Sequence, residues 1–148
     1  MCGSSMGDDM QYKMILYTAL LFSAFFYAIP SKAQKMMPEQ IVQQNLDSYN
    51  KRDINGFMSS FSENISLYTY GQIQPTTVGL AALRQRYQAL FDQSPKLHST
   101  IVKRMVLGNK VIDHEHIVGR MGADTPVGMI LIYEVENEKI VRVTVIKD

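Results

Sequence analysis

Four titratable residues, Asp113, His114, Glu115 and His116, stand side by side in the stretch VIDHEHIVGR, which otherwise has the composition of a core strand. In an extended segment successive side chains point to opposite faces, so the two carboxylates share one face and the two histidines share the other. Carboxylates that face an apolar interior have raised pKa values and become candidates for acid or base catalysis. Histidines that face inward are instead candidate metal ligands, with His98 as a distant third.

Composition limits the classes of partner. Hydrophobic residues make up 46% of the 148-residue chain and charged residues 20%, which is typical of one packed globular domain. The formal net charge of +1 provides no electrostatic footprint for nucleic acid or an anionic membrane. The basic clusters Arg84-Gln85-Arg86 and Lys103-Arg104 are short and are interpreted as solvated faces. No nucleic-acid partner is therefore predicted.

The beginning of the chain has the pattern of an export signal. Lys13 precedes an apolar run over residues 14–29, and small residues follow at cleavage-type positions. The run is shorter than the ~20 residues that a membrane-spanning helix needs, which disfavours the alternative of an uncleaved anchor. Residues 1–33 are predicted to be a signal peptide with its upstream segment. Residues 34–148 are then expected to form one periplasmic or secreted domain with no membrane association after cleavage.

Periodicity in residues 34–148 changes between helical and extended patterns. Pro38 begins a helix whose apolar residues recur at helical spacing, and Asp53 can cap a short second helix with an apolar stripe that includes Phe61. The remaining segments are a strand at 65–70, a loop at 71–77, a helix at 80–91 and four strands at about 98–107, 111–120, 127–136 and 140–146. This order predicts an α+β fold in which helices cover one face of a mostly antiparallel sheet.

Four stretches in this order, NLDSYNKRDINGFMSSFSENISLY, VGLAALRQRYQALF, VIDHEHIVGR and IYEVENEKIVRV, resemble the SnoaL-like group of the nuclear transport factor 2-like superfamily. The resemblance covers essentially all of residues 34–148. It implies a cone with three N-terminal helices packed on a curved, mostly antiparallel sheet and a pocket between them. It also implies a homodimer that forms through the outer face of the sheet.

The resemblance implies no single activity, because unrelated functions share such folds. Ketosteroid isomerase is the best-known enzyme of the superfamily, and in this resemblance the position of its base falls at Thr69 and those of its two oxyanion donors fall near Asn45 and near Leu131. Its catalytic residues are therefore not retained, since threonine alone cannot abstract a proton and leucine cannot donate a hydrogen bond.

The resemblance places Asp113 and Glu115 on the face that lines the pocket, as the candidate catalytic residues. It places the histidines outside, near the dimer contact, so no metal or other cofactor is expected. A largely aromatic and aliphatic set is predicted to line the same pocket: Tyr49, Phe57, Phe61, Leu67, Thr69, Tyr87, Leu131, Tyr133 and Thr144.

Two classes of function remain open. The first is an exported domain that binds a small, largely apolar molecule in the conical pocket, with or without acid/base catalysis of the isomerase or hydrolase type. The alternative is a non-catalytic homodimeric interaction module that binds a protein or peptide partner. A continuous pocket open to solvent favours the first class, and a cone filled by its own side chains favours the second.

Overall fold

The computed structural model describes residues 35–147, so the predicted signal peptide lies outside the described residues. The helices are α1 (Pro38–Lys51), α2 (Ile54–Ser59) and α3 (Leu80–Asp92), and a 3-10 turn spans Arg120–Gly122. The strands are β1 (Phe61–Thr69), β2 (Thr77–Val78), β3 (His98–Leu107), β4 (Lys110–Val118), β5 (Val127–Glu136) and β6 (Lys139–Lys147). In this part of the chain, no helix has the length and apolar character needed to cross a bilayer.

The helix boundaries follow from local sequence. Pro38 occupies the first turn of α1, where its missing N–H is not needed, and the Gln40 side chain accepts a hydrogen bond from the Met37 backbone N–H at 2.8 Å. The Asp53 side chain accepts hydrogen bonds from the backbone N–H groups of Asn55 and Gly56 at 3.1 and 3.0 Å, and thus caps α2 as predicted.

The six strands form one sheet in the order β2-β1-β6-β5-β4-β3. Only the β1–β6 pair is parallel within the described chain, and the other neighbours are antiparallel. The predicted two-residue turns at 108–109 and 137–138 join β3 to β4 and β5 to β6. The prediction of an α+β fold with a mostly antiparallel sheet is confirmed, although α3 follows β1 and β2 in the chain.

The hydrophobic core lies between the helices and one face of the sheet, which we call the inner face. Both layers contribute buried apolar side chains, so burial of this surface joins helices to sheet. The helical contribution includes Ile41, Val42, Leu46, Phe57, Leu83 and Phe91, and the strand contribution includes Ile65, Leu67, Val111, Ile117, Tyr133 and Val143.

Two predicted boundaries were wrong. Phe61 belongs to β1 and not to the helical stripe, because Ser60 ends α2 and Phe61 pairs with Ile140 in the sheet. Its apolar side chain fits either periodicity, so the sequence pattern did not distinguish them. The predicted loop at 71–77 also runs into the short strand β2, which pairs with residues 66–67 of β1.

A β-bulge in β3 changes which residues face the core. Ile101 pairs with Glu115, but Lys103 pairs with His114, so Val102 is the extra residue. After the bulge, Arg104 pairs with Asp113 and shares its face of the sheet. The interpretation of Lys103-Arg104 as a wholly solvated pair was therefore wrong for the arginine.

Candidate functional site

A cavity with a volume of about 70 Å³ lies between the helices and the inner face of the sheet. Its wall includes every residue of the predicted lining except Thr144: Tyr49, Phe57, Phe61, Leu67, Thr69, Tyr87, Leu131 and Tyr133. Thr69, Asn45 and Leu131, which the resemblance matched to the ketosteroid isomerase catalytic positions, also contribute to the wall. The aromatic and aliphatic part of the pocket was therefore accessible to sequence reasoning.

Thr144 is a correction to the predicted lining. Its neighbours Val143 and Val145 line the cavity, whereas Thr144 pairs laterally with Ile132 and Tyr68 and points to the outer face of the sheet. Neighbouring side chains in a strand point to opposite faces, so an error of one residue in the predicted register exchanges a cavity-facing position for an outward-facing one.

The two predicted acids are both buried, at 0% exposure for Asp113 and 3% for Glu115, but only Glu115 reaches the cavity wall. The Asp113 carboxylate accepts hydrogen bonds from Arg104 Nε and Nη2, both at 2.7 Å. Arg104 Nη1 also donates to Gln43 Oε1 at 2.9 Å, which connects the ion pair to α1. The hydrogen bonds that Arg104 donates to Asp113 raise the pKa of the guanidinium, and partial burial opposes this rise.

Glu115 has neutral hydrogen-bond partners. Its Oε2 accepts a hydrogen bond from Ser99 Oγ at 2.6 Å, and its Oε1 accepts one from the Tyr133 hydroxyl at 3.3 Å. Burial raises the pKa of Glu115, the Ser99 hydrogen bond opposes this rise, and the negative charge of Asp113 adds to it. The pKa of this carboxyl group is thus higher than that of an ordinary surface glutamate, which suits it better to proton transfer near neutral pH.

Ser99 is held in place by the end of α1. Its backbone N–H donates to Asn50 Oδ1 at 2.7 Å, and its carbonyl accepts from Asn50 Nδ2 at 2.9 Å. Both bonds fix the β3 backbone, and through it the hydroxyl that bonds Glu115. The sequence provided no signal for this support, because the two residues are far apart along the chain.

Aromatic rings form the helical side of the cavity. The ring centroids of Phe57 and Tyr87 are 4.5 Å apart, and those of Tyr49 and Tyr87 are 6.3 Å apart in an edge-to-face arrangement. Burial raises the pKa of the Tyr49 and Tyr87 hydroxyls, with smaller opposing effects from Arg120. Both phenols therefore stay neutral near pH 7 and can donate hydrogen bonds.

Basic residues on the cavity wall were missed by the sequence analysis. Arg120 is half-buried, and its Nη1 donates to the Tyr49 hydroxyl at 3.3 Å. The turn that presents it needs glycine, because Gly119 has φ of 68° and a Cβ there would clash with the Lys96 carbonyl. The Gly-Arg pair that ends VIDHEHIVGR was the available signal, and it was interpreted as the end of a strand.

The histidines lie outside the site. His114 and His116 are exposed on the outer face of β4, and His98 is exposed at the start of β3. Within residues 35–147, no group of three or more His, Cys, Asp or Glu side chains is arranged to hold a metal ion.

Several comparisons place the chain among known proteins. The solved structures it resembles include an uncharacterised cystatin-fold protein from Novosphingobium aromaticivorans, with 20% identity, a TM-score of 0.70, and coverage of 76% of this chain and 100% of the other. An NTF2-like protein of unknown function from Cytophaga hutchinsonii has 15% identity, a TM-score of 0.65, and coverage of 78% and 94%.

A third similar structure is a hypothetical protein with a ketosteroid isomerase-like fold from Catenulispora acidiphila, solved in complex with trimethylamine. It has 20% identity, a TM-score of 0.61, and coverage of 72% of this chain and 83% of the other. At such identities the likeness shows the fold alone. No curated protein sequence matches the chain at a significant level. The family described as SnoaL-like domain matches residues 42–143, and the chain therefore belongs to this family.

Proposed function

We propose that this domain binds a small molecule in the cavity between helices and sheet and transfers a proton through Glu115. The observation that carries the proposal is a buried carboxylate on the cavity wall whose described partners, Ser99 and Tyr133, are neutral hydroxyl groups. A neighbouring cation would keep the carboxylate ionised and would use its oxygens as ion-pair acceptors. Hydroxyl partners leave it able to accept and return a proton.

Other polar groups on the cavity wall can stabilise the charge that develops in the same reaction. Glu115 takes a proton from a carbon adjacent to a carbonyl, and negative charge develops on the carbonyl oxygen. The neutral Tyr49 and Tyr87 hydroxyls line the cavity and are available to donate hydrogen bonds to that oxygen. Return of the proton at a second carbon completes an isomerase-type reaction.

Deuterium exchange tests the proposal on a broad set of candidate substrates. Mixtures of small ketones, aldehydes, esters and oxo acids are incubated with the protein in D₂O, and loss of the carbon-bound proton signals is followed by NMR. We expect at least one compound to exchange faster with wild type, and Glu115→Gln to reduce that rate by about 100-fold or more. Glu136→Gln, which changes an exposed acid at the end of β5, is the matched control. Equal exchange rates in wild type and Glu115→Gln would contradict the role of Glu115.

A second candidate function uses the outer face of the sheet. Met105, Ile112 and Ile132 are lateral neighbours there, and Ile130, next along β5, is exposed. We propose that this strip forms a homodimer contact, as the family resemblance implies. Sedimentation measurements should give a dimer for wild type and a monomer for Ile132→Glu, whereas Val78→Glu on the exposed part of β2 should leave the mass unchanged. A wild-type monomer would contradict the contact.

Export is proposed from the composition of residues 1–33 alone. Mass spectrometry of the protein isolated from its host should find a chain that begins near Gln34 in the periplasm or the medium. Recovery of the uncleaved chain from the cytoplasm would contradict export.

A further inference from the structure

Three basic side chains, Arg86, Arg120 and Lys147, line the same cavity as Glu115. None of the three lies within ion-pair distance of a carboxylate among residues 35–147. Glu115 is the single acid on the described wall, and its hydrogen bonds go to neutral hydroxyls. The described part of the cavity therefore has an excess of positive charge that no ion pair among residues 35–147 neutralises.

Of these three cations, Arg120 is the best placed to bind an anionic group of a ligand. A guanidinium group has five N–H donors in a fixed plane, and Arg120 uses one of them on the Tyr49 hydroxyl. The others find no acceptor in the described part of the chain. The backbone that follows is fixed, because the Met121 N–H donates to the Ser94 hydroxyl at 2.8 Å. The result is a half-buried, oriented guanidinium with free donors beside a cavity, which is the geometry that binds a carboxylate.

Other arginines in the described chain have conventional partners. Arg104 is neutralised by Asp113, Arg142 lies 3.7 Å from a Glu134 oxygen and stacks on Tyr68, and Arg84 donates to the Asn55 side chain. In contrast, Arg86 has a single weak hydrogen bond of 3.4 Å to the Thr77 hydroxyl. Arg86 and Arg120 thus both line the cavity, and neither pairs with a carboxylate in the described part of the chain.

The volume of the cavity limits the size of the ligand. Its volume is about 70 Å³, and an apolar cavity of about 150 Å³ holds one benzene molecule. A chain of about three to five carbon atoms therefore fits a space of this size. Arg86 and Lys147 are exposed and mark the side of the cavity that opens to solvent.

We infer that the ligand of this site is a short-chain carboxylate, with its carboxylate group bound by Arg120 and Arg86 and its carbon chain inserted along the aromatic wall toward Glu115. This inference rests on the proposed function, because it names the class of molecule to which Glu115 would transfer a proton. A short chain suits the aromatic and aliphatic wall, which an inorganic anion would leave unfilled.

Paired ligands that differ only in charge test the inference. Dissociation constants of but-2-enoate and 3-oxobutanoate are measured by NMR titration beside those of their primary amides, with inorganic phosphate as a third arm. We expect each carboxylate to bind wild type about tenfold or more tightly than its amide, and more tightly than phosphate. Arg120→Gln should remove the difference between acid and amide, and Arg84→Gln should keep it, because Arg84 does not line the cavity.

Equal affinities for acid and amide in wild type would overturn the inference, as would a preference that survives Arg120→Gln. Phosphate binding as tight as that of the carboxylates would also overturn it. Glu115→Gln separates this inference from the proposed reaction, since it should abolish deuterium exchange while leaving carboxylate affinity unchanged or higher. Arg120-dependent binding without exchange would contradict proton transfer alone. Glu115-dependent exchange of neutral compounds without carboxylate preference would contradict the carboxylate ligand alone.

Discussion

Asp113 and Glu115 lie two residues apart on the inner face of β4, and both are almost completely buried. Asp113 is held by two 2.7 Å hydrogen bonds from a cation, whereas Glu115 is held by two hydroxyl groups and faces a cavity. Burial alone therefore does not make a carboxylate reactive. The charge of its partner decides whether burial produces a structural ion pair or a candidate acid/base group.

The difference originates in β3, the strand that lies beside β4. Its first part presents Ser99 to Glu115, and the bulge at Val102 then turns Arg104 toward Asp113. Strict alternation from Ser99 would have directed Lys103 to the inner face instead. One extra residue therefore divides β4 into a structural part and a part that faces the cavity.

The largest effect is expected from breaking the structural pair. Arg104→Met leaves Asp113 as an uncompensated buried charge and should lower the free energy of unfolding by about 3–5 kcal/mol. Urea denaturation measures the change. Arg142→Met, which removes an exposed arginine from the outer face, should cost less than about 1 kcal/mol.

The double variant Arg104→Met/Asp113→Leu tests whether the unpaired buried charge causes this loss of stability. It should recover a substantial part of the loss, because no buried charge remains without a partner. If Arg104→Met were as stable as Arg142→Met, the structural role of the pair would be wrong.

Ser99→Ala should have the next largest effect, now on Glu115. Loss of a charge-assisted hydrogen bond costs about 1.5–3 kcal/mol when the carboxylate is ionised. The pKa of Glu115 should therefore rise further, as seen by ¹³C NMR titration of labelled carboxyl groups with Glu115→Gln for assignment. Ser59→Ala, an exposed serine that bonds its own helix, is the control. An unchanged pKa in Ser99→Ala would refute the assigned hydrogen bond.

Tyr133→Phe should change the same titration less. Its hydroxyl lies 3.3 Å from Glu115, against 2.6 Å for Ser99, so its loss should cost about 0.5–1.5 kcal/mol. The pKa of Glu115 should rise, but by less than in Ser99→Ala. Tyr68→Phe, in β1, provides a tyrosine control that does not bond Glu115. A larger rise in Tyr133→Phe than in Ser99→Ala would reverse the assigned order of the two partners.

The smallest expected effect is on the pH dependence of stability. Burial raises the pKa of Glu115 in the folded state, so the folded protein holds this proton more tightly than the unfolded chain. Its contribution to stability is greatest below the unfolded pKa of about 4.3 and decreases as pH rises through the folded pKa. Glu115→Gln lacks this decrease. The free energy of unfolding of Glu115→Gln, measured relative to that of wild type, should therefore increase between pH 4 and pH 8. A difference between the two proteins that does not change with pH would contradict the raised pKa.

Sequence patterns predicted much of the fold and part of the site. Helical and alternating periodicities located the helices and five of the strands, and the alternation in VIDHEHIVGR placed both carboxylates on one face and both histidines on the other. These features depend on residues close together along the chain. The boundary at Phe61 and the face of Thr144 were mistaken, because an apolar or β-branched residue fits either alternative.

The sequence by itself determined the α+β class and the shared face of Asp113 and Glu115, since local periodicity decides which side chains of an element lie on one face. The family resemblance added the inward direction of that face and the aromatic wall. Only the tertiary structure decided that Arg104 neutralises the first acid, that Ser99 and Tyr133 hold the second, and that Arg120 and Arg86 reach the cavity. Those contacts join residues distant in sequence through strand register, a bulge and a glycine turn. Local periodicity does not encode the register of one strand against another, so the chemistry of the site was fixed by folding.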